Sequence, residues 1–233
     1  MRFAIIDSNR IEAQPGLKGK CPRCDRPVIA KCGAQRIHHW AHQKDKMCDR
    51  WWEPETDWHR SWKNNYAQDW QEVIRPDELT GETHIADICT PHSLVIEFQH
   101  SPINSLERIS RERFYKDMVW VIDGLKNKLT YKRFLKWREY RYPLKPSVYR
   151  IVHPEIYFPV QWLESLVPVV LDFGSDNDHL GSDVYEHKLY CLFPRFEGRT
   201  ILAEITKKAF VNYTTNGKWQ SRVIAGLAEL YQL

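Results

Sequence analysis

With 233 residues, 42% of them hydrophobic and 27% charged, the chain is long enough to bury a core of its own and carry one or two small appendages. No apolar run approaches the ~20 residues that span a bilayer, and no basic, apolar leader opens the sequence, so a membrane span is excluded and a cytoplasmic location is expected. A net charge of +4 does not by itself demand nucleic acid, and the placement of the charges carries more than their sum.

Taken in order, Arg2–Ile6 reads as a strand and Gln14-Pro15-Gly16 as a turn, the lead-in to a small β module. Six cysteines stand at 21, 24, 32, 48, 89 and 191, and the crowding of four of them before residue 50 indicates metal rather than disulfide in a reducing compartment. Cys21-Pro22-Arg23-Cys24 is a C-x2-C knuckle, followed by Cys32, by His38-His39-Trp40-Ala41-His42, and by Cys48. Zinc takes four soft or borderline ligands in a tetrahedron, and Cys21, Cys24, His42 and Cys48 are selected for it. His39 and Cys32 are alternates, because spacing alone does not rank them. A zinc wholly ligated by protein has no open position for chemistry, so its role is structural.

From Asp49 to Tyr66 the pattern predicts a helix, with Pro54 as an early residue and acids in the first turn. Trp58, Trp62 and Tyr66 share a stripe that reads as its buried face. Glu55, His59 and Lys63 form the adjacent stripe. The plain reading of that stripe is a solvent-facing ladder of ion pairs. The sharper one puts Glu55 and His59 at the edge of a metal site and Lys63 near a phosphate. Gln71–Arg75 then reads as a strand and Pro76 to Gly81 as a turn.

The stretch His84 to Ser101 is the one the rest is organised around. Ile85 and Ile88 flank Asp87, Thr90-Pro91-His92-Ser93 supplies turn residues, and Leu94-Val95-Ile96-Glu97-Phe98 is rich in strand formers. A hairpin is predicted, with Asp87 and Glu97 at similar distances from its turn. Both interrupt apolar runs, where an unpaired charge is costly, and a hard divalent cation such as Mg²⁺ would compensate them. Gln99 follows Glu97 on the same strand face. The plainer alternative is a pair of solvated acids on an antiparallel hairpin.

Asn104 to Lys116 predicts an amphipathic helix capped by Asn104 or Ser105, with Leu106, Ile109 and Phe114 inward and Arg108, Arg111 and Tyr115 on another face. Met118–Asp123, ending at Gly124, reads as a buried central strand. Residues 125 to 145 carry Lys126, Lys128, Lys132, Arg133, Lys136, Arg138, Arg141 and Lys145, with Glu139 as the one acid and Tyr131, Phe134, Trp137, Tyr140 and Tyr142 interleaved. Such a segment neutralises phosphates and offers rings to unpaired bases, although a charged surface helix or linker has the same composition. From Pro146 onward, Val167–Gly174, a polar loop at Ser175–Asp183 and Lys188–Phe193 indicate a small β-containing domain. Ile201–Tyr213 adds a strand and Val223–Leu230 a closing helix. His179 and His187 read as ordinary surface residues.

The order helix, strand, hairpin, helix, strand, with an acid ending one strand and E-x-Q on the next, resembles the PD-(D/E)XK nuclease superfamily. More narrowly, the chain resembles the CoiA-like competence-protein family. The residues that carry this are Cys21-Pro22-x-Cys24, and His39-Trp40-Ala41-His42 where the family shows His-Phe-Ala-His. Glu55-x3-His59-x3-Lys63, Ala86-Asp87, Glu97-Phe98-Gln99-x-Ser101 and Arg111-x3-Tyr115 continue it.

The resemblance implies an α/β fold with a mixed central sheet flanked by helices, a restriction-endonuclease-like core over residues 51–145. A zinc-ribbon-like module over 1–50 and a small C-terminal α+β accessory domain over 146–233 complete the expected organisation. It further implies a metal-dependent deoxyribonuclease in DNA uptake, recombination or repair, with Mg²⁺ or Mn²⁺ as catalytic and Zn²⁺ as structural cofactor. Asp87 and Glu97 would bind the metal with help from the Phe98 carbonyl, and Gln99, Glu55, His59 and Lys63 would complete the catalytic set. DNA would be met by Arg108, Arg111, Tyr115, Lys132, Arg133, Lys136 and Trp137. Gln99 stands where the superfamily usually has lysine, and an amide neither gains nor loses a proton near neutrality. Metal activation of water and a positive charge from Lys63 or Arg111 are the expected substitutes. Two other readings stay open: a nuclease-fold DNA-binding protein without catalysis, and a zinc-stabilised scaffold for protein partners.

Overall fold

The structure, a computed structural model, describes residues 1–43, 48–77, 80–141, 143–174, 187–195 and 197–231. Tyr142, the loop Ser175–Asp183 and His179 lie outside the described residues. The contacts divide the chain into two units, Met1–Cys89 and Thr90–Leu233.

The first unit opens with β1 (Phe3–Ile6) and β2 (Asn9–Glu12), paired antiparallel across Asp7 and Ser8. Both turn residues take positive φ, 47° and 67°, as the hairpin turn that matches strand twist requires. β2 is not legible in the sequence because Asn9-Arg10-Ile11-Glu12 has no buried member. The expected turn at Gln14–Gly16 is present: Leu17 N–H donates to the Gln14 carbonyl, and Gly16 supplies φ of 80°. β3 (Lys18–Lys20), β4 (Pro27–Lys31) and β5 (His39–His42) complete an antiparallel sheet of order β2-β1-β3-β4-β5. Met1, Ala4, Ala13, Cys21, Val28 and Trp40 form its core. Trp40 is fully buried and its indole N–H donates to the Ile11 carbonyl at 2.9 Å, so the large ring leaves no polar atom unsatisfied.

Helix α1 (Asp57–Lys63) starts later than Pro54. The reason is a capping box. Thr56 Oγ1 accepts the His59 N–H, and His59 Nδ1 accepts the Thr56 N–H at 3.3 Å. The helix stops at Lys63, so Tyr66 is buried from beyond its end. A 3₁₀ turn (Gln68–Trp70) leads to β6 (Gln71–Pro76), which pairs antiparallel with β7 (Thr83–Cys89).

The second unit begins at the expected turn, where Thr90 N–H donates to Leu94 and Ser93 N–H to Thr90. β8 (Val95–Gln99), α2 (Ser105–Tyr115), β9 (Met118–Asp123), α3 (Lys128–Tyr140), β10 (Pro143–Lys145) and β11 (Val148–Ile151) follow. A 3₁₀ turn (Pro154–Ile156), α4 (Val160–Leu163), β12 (Val169–Asp172), β13 (Lys188–Leu192), β14 (Thr200–Thr206), α5 (Lys207–Thr215) and α6 (Trp219–Tyr231) complete it. Within this unit the strands run in the order β10-β11-β14-β13-β12-β9-β8. β8, β9 and β12 are mutually parallel, and the remaining pairs are antiparallel. The fold is thus mixed α/β, as expected.

β9 is the buried central strand that its apolar run predicts. Its register with β12 means that the expected boundary at 145/146 falls inside one sheet. Gly124 ends β9 because β12 comes so close there: a Cβ at that position would lie 2.4 Å from the Phe173 ring. Ile201–Tyr213 is a strand only as far as Thr206, whose hydroxyl accepts the Ala209 N–H and starts α5.

Candidate functional site

The turn between β3 and β4 positions two of the cysteines. The C-x2-C turn between β3 and β4 is closed by Asp25 N–H donating to Cys21 and Cys21 N–H to Arg26, both at 2.9 Å. His42 ends β5. Ligand atoms of Cys21, Cys24, His42 and Cys48 all lie within 4.8 Å of one another. Cys21 and Cys48 sulfurs are 3.6 Å apart, and Cys24 Sγ is 3.3 Å from His42 Nε2. Three sulfurs and one imidazole are the donor set of a structural zinc, and the arrangement fits one with every ligand from protein.

Among the described residues His39 and Cys32 stand outside the group, and His39 Nδ1 faces the Ile37 carbonyl at 2.8 Å. Burial pushes the Cys21 thiol up to about 12. At Cys24 burial acts the same way but is outweighed by hydrogen bonds, those from Arg26 foremost, which bring it down to about 6. Cys24 is therefore a thiolate at neutral pH.

A strut ties this module to β7. Arg23 donates to the carbonyls of Cys48 and Thr83. Asp49 accepts the Ile85 N–H at 2.8 Å and faces His84 Nδ1 at the same distance, while Trp51 stacks on the His84 ring.

The same strand delivers Asp87 to a buried cage. Lys63 Nζ lies 2.9 Å from Asp87, 3.5 Å from Glu72 and 3.7 Å from Glu55. Arg60 grips Glu55 in a fork, with Nε–Oε1 at 3.0 Å and Nη2–Oε2 at 2.7 Å. The stripe read as a solvent-facing ladder is therefore turned inward: Lys63 and His59 are 4% and 3% exposed. Burial favours a neutral lysine, but Asp87, then Glu72 and Glu55, hold the Lys63 amine above its ordinary value. It is a permanent cation and hydrogen-bond donor, and it does not serve as a base. The same charge opposes burial at Glu55 and holds that carboxyl down to about 2; Glu72 is lowered likewise. His59 is engaged in the helix cap, with Nε2 3.6 Å from Glu53, rather than in the cage.

Sequence reasoning missed Glu72 and Arg60. The signal for Glu72 is register: Gln71 pairs with Ile88 and Val73 with Ala86, which sets Glu72 across from Asp87. Like charges directly opposite repel, so a cation between them is required.

In the second unit Glu97 and Gln99 lie on β8 and are both buried. Arg111 bridges Glu97 at 3.1 Å and Glu107 at 2.5 Å. Gln99 Nε2 donates to the Ser101 carbonyl at 2.9 Å. Arg108 is a correction: it is completely buried and clamps both oxygens of Glu112 at 2.7 and 2.6 Å, so it is out of reach of a polynucleotide. The inward face of α2 is the arginine face, while Leu106, expected inside, is 82% exposed. Ion pairs with Glu112, Glu97 and Glu107 offset the buried guanidinium charges, which is why a purely apolar criterion chose the wrong stripe. Tyr115 is buried on the same face.

Trp137 is a second correction. It packs among Tyr149, Phe158 and Tyr190 and presents no ring to bases. Lys132, Arg133 and Lys136 lie on the exposed side of α3. No helix among the described residues is long and apolar enough to cross a membrane.

Residues 12–50 match the family model described as Competence protein CoiA, N-terminal domain. No curated protein and no solved structure matches the chain. The matched segment spans Cys21, Cys24, His42 and Cys48, so the likeness to that domain falls on the part of the first unit that could hold a metal.

Proposed function

We propose that the chain is a metal-dependent nuclease hydrolysing DNA phosphodiester bonds, working in the handling of DNA during competence. The observation that carries the reading is the cage in which Glu55, Lys63 and Asp87, singled out from separate stretches of sequence, meet with a permanently charged ammonium against Asp87. The competence role rests on the family match over residues 12–50.

Asp87 and Glu97 are the assigned oxygen ligands, with the Phe98 carbonyl beside Glu97, and carboxylate oxygens suit Mg²⁺ or Mn²⁺. When bound, such an ion supplies a water of lowered pKa and Lewis-acid stabilisation of the phosphate. Lys63 donates to a non-bridging phosphate oxygen and offsets the charge that develops there. Gln99 orients by hydrogen bonding alone. Lys132, Arg133 and Lys136 neutralise phosphates of the flanking strand. Cytoplasmic DNA is the substrate this reading assigns.

Labelled single- and double-stranded DNA incubated with Mg²⁺ or Mn²⁺ tests it, with Asp87→Ala as control. Cleavage by the wild type and none by the variant is expected. Binding without cleavage would replace the reading by a non-catalytic DNA-binding protein, which the amide at Gln99 favours. Neither binding nor cleavage would leave a zinc-stabilised scaffold.

A further inference from the structure

The five-stranded sheet of the first unit has two unlike faces. On β4, Val28 and Ala30 look toward the core, and their partners in register, His42 and Trp40, share that side. Residues between them alternate to the other side, so Lys18 and Lys20 of β3 and Ile29 and Lys31 of β4 form an outer face turned away from His42.

Lys18, Lys20 and Lys31 are all exposed. Lys18 and Lys20 stand two residues apart on one strand, about 6.6 Å. Lys18 pairs with Ile29, which makes Lys31 its diagonal neighbour, about 7–8 Å away and on the side opposite Lys20. Three ammonium groups therefore follow one another in a stripe, at intervals comparable to those of successive phosphates along a strand. Lys20 meets Asp25 at 2.9 Å, in an exposed pair of small worth. Lys18 and Lys31 have no acidic partner among the described residues. Like charges held side by side repel, and a polyanion laid along the stripe relieves that repulsion.

We propose that the outer face of β3 and β4 is a contact surface for the phosphate backbone of a polynucleotide, with Lys18, Lys20 and Lys31 taking successive phosphates of one strand. Each contact displaces a counterion, so binding here is salt-dependent and blind to sequence. The proposal goes beyond the nuclease reading, because it needs neither the Lys63 cage nor a divalent ion, and it adds a surface separate from α3.

The test uses the full chain. Acetylation footprinting read by mass spectrometry is expected to show Lys18 and Lys31 protected by a DNA oligonucleotide, while Lys208, exposed on α5, reacts as before. Combining Lys18→Ala, Lys20→Ala and Lys31→Ala is expected to lower the slope of log affinity against log salt by about 2 on single strands and by nearly 3 on duplex, which tells the two sources of phosphate apart. Arginine at all three positions should keep the slope. Zinc content and near-ultraviolet dichroism equal to wild type establish that the alanine chain is folded. An unchanged slope in that folded chain, or Lys18 and Lys31 acetylated alike with and without DNA, overturns the proposal and leaves the nuclease reading standing. Equal protection by polyglutamate overturns the assignment to phosphate. A lowered slope in a chain whose wild type never cuts DNA supports this surface and overturns the nuclease reading, so the two fail separately.

Discussion

Lys63 Nζ sits closer to Asp87, at 2.9 Å, than to Glu72 or Glu55, so the least buried of three carboxylates holds the ammonium most closely. A buried cation with three anionic partners is asymmetric in its energetics. Its net contribution to stability is modest, but its removal strands the anions. Lys63→Met is therefore expected to lower the unfolding free energy by about 3–5 kcal/mol at pH 7 in urea titrations. A loss below about 1 kcal/mol would show the carboxylates to be better solvated than their burial indicates.

The same cage sets an acid limit. The folded-state value of Glu55 is depressed from 4.5 to about 2, so its stabilisation is fully present above pH 4.5 and is lost as pH falls toward 2. Glu72 is shifted in the same direction by the same charge and adds to this. Thermal melts from pH 7 to 2 should show the midpoint falling through that window, with Glu55→Gln flattening the fall. An identical profile in the variant would remove Glu55 as its source.

Zinc content tests the N-terminal group directly. One metal per chain is expected by elemental analysis, lost in Cys24→Ser or His42→Ala and retained in Cys32→Ser, because Cys32 stands outside the cluster. Stripping the metal should loosen the small core around Val28 and Trp40, seen as lost near-ultraviolet dichroism. Retention of metal by Cys24→Ser together with its loss in Cys32→Ser would reassign the ligands.

Charge on α3 is expected to act through phosphate contacts. Replacing Lys132, Arg133 and Lys136 together by Ala should weaken DNA binding and reduce the slope of log affinity against log salt by about 2 to 3. Anisotropy titrations at several salt concentrations measure this. An unchanged slope would move the interface elsewhere.

Arg108→Ala separates a structural arginine from a binding one. Glu112, which also accepts from Trp120 Nε1 and Ser165 Oγ, would lose its buried counter-ion, at a cost of about 3–5 kcal/mol in stability. The salt slope for DNA should stay as in the wild type. A stable variant with a reduced slope would restore Arg108 to the interface.

Much of this molecule was determined by sequence alone, wherever the physics is local. Ligand chemistry and the C-x2-C turn picked out the same four residues that the structure gathers. An unbroken apolar run and the glycine stop placed β9, and the turn at Thr90–Leu94 followed from its residue types. Asp87 was marked by its apolar surroundings and Glu55 and Lys63, with His59, by helical spacing, and only the family resemblance joined them as a set. Tertiary structure decided what depends on partners far along the chain. The helix stripe holding Lys63 turned inward because Glu72 and Asp87 arrive from β6 and β7 to meet it. Arg108 pairs with Glu112 within its own helix, but the pair goes inside because Trp120 and Ser165 arrive to hold Glu112, and Trp137 is buried because Phe158 and Tyr190 cover it. A charged or amphipathic side chain goes inside or outside according to whether a distant group satisfies it, and pattern within a single segment carries no record of that group.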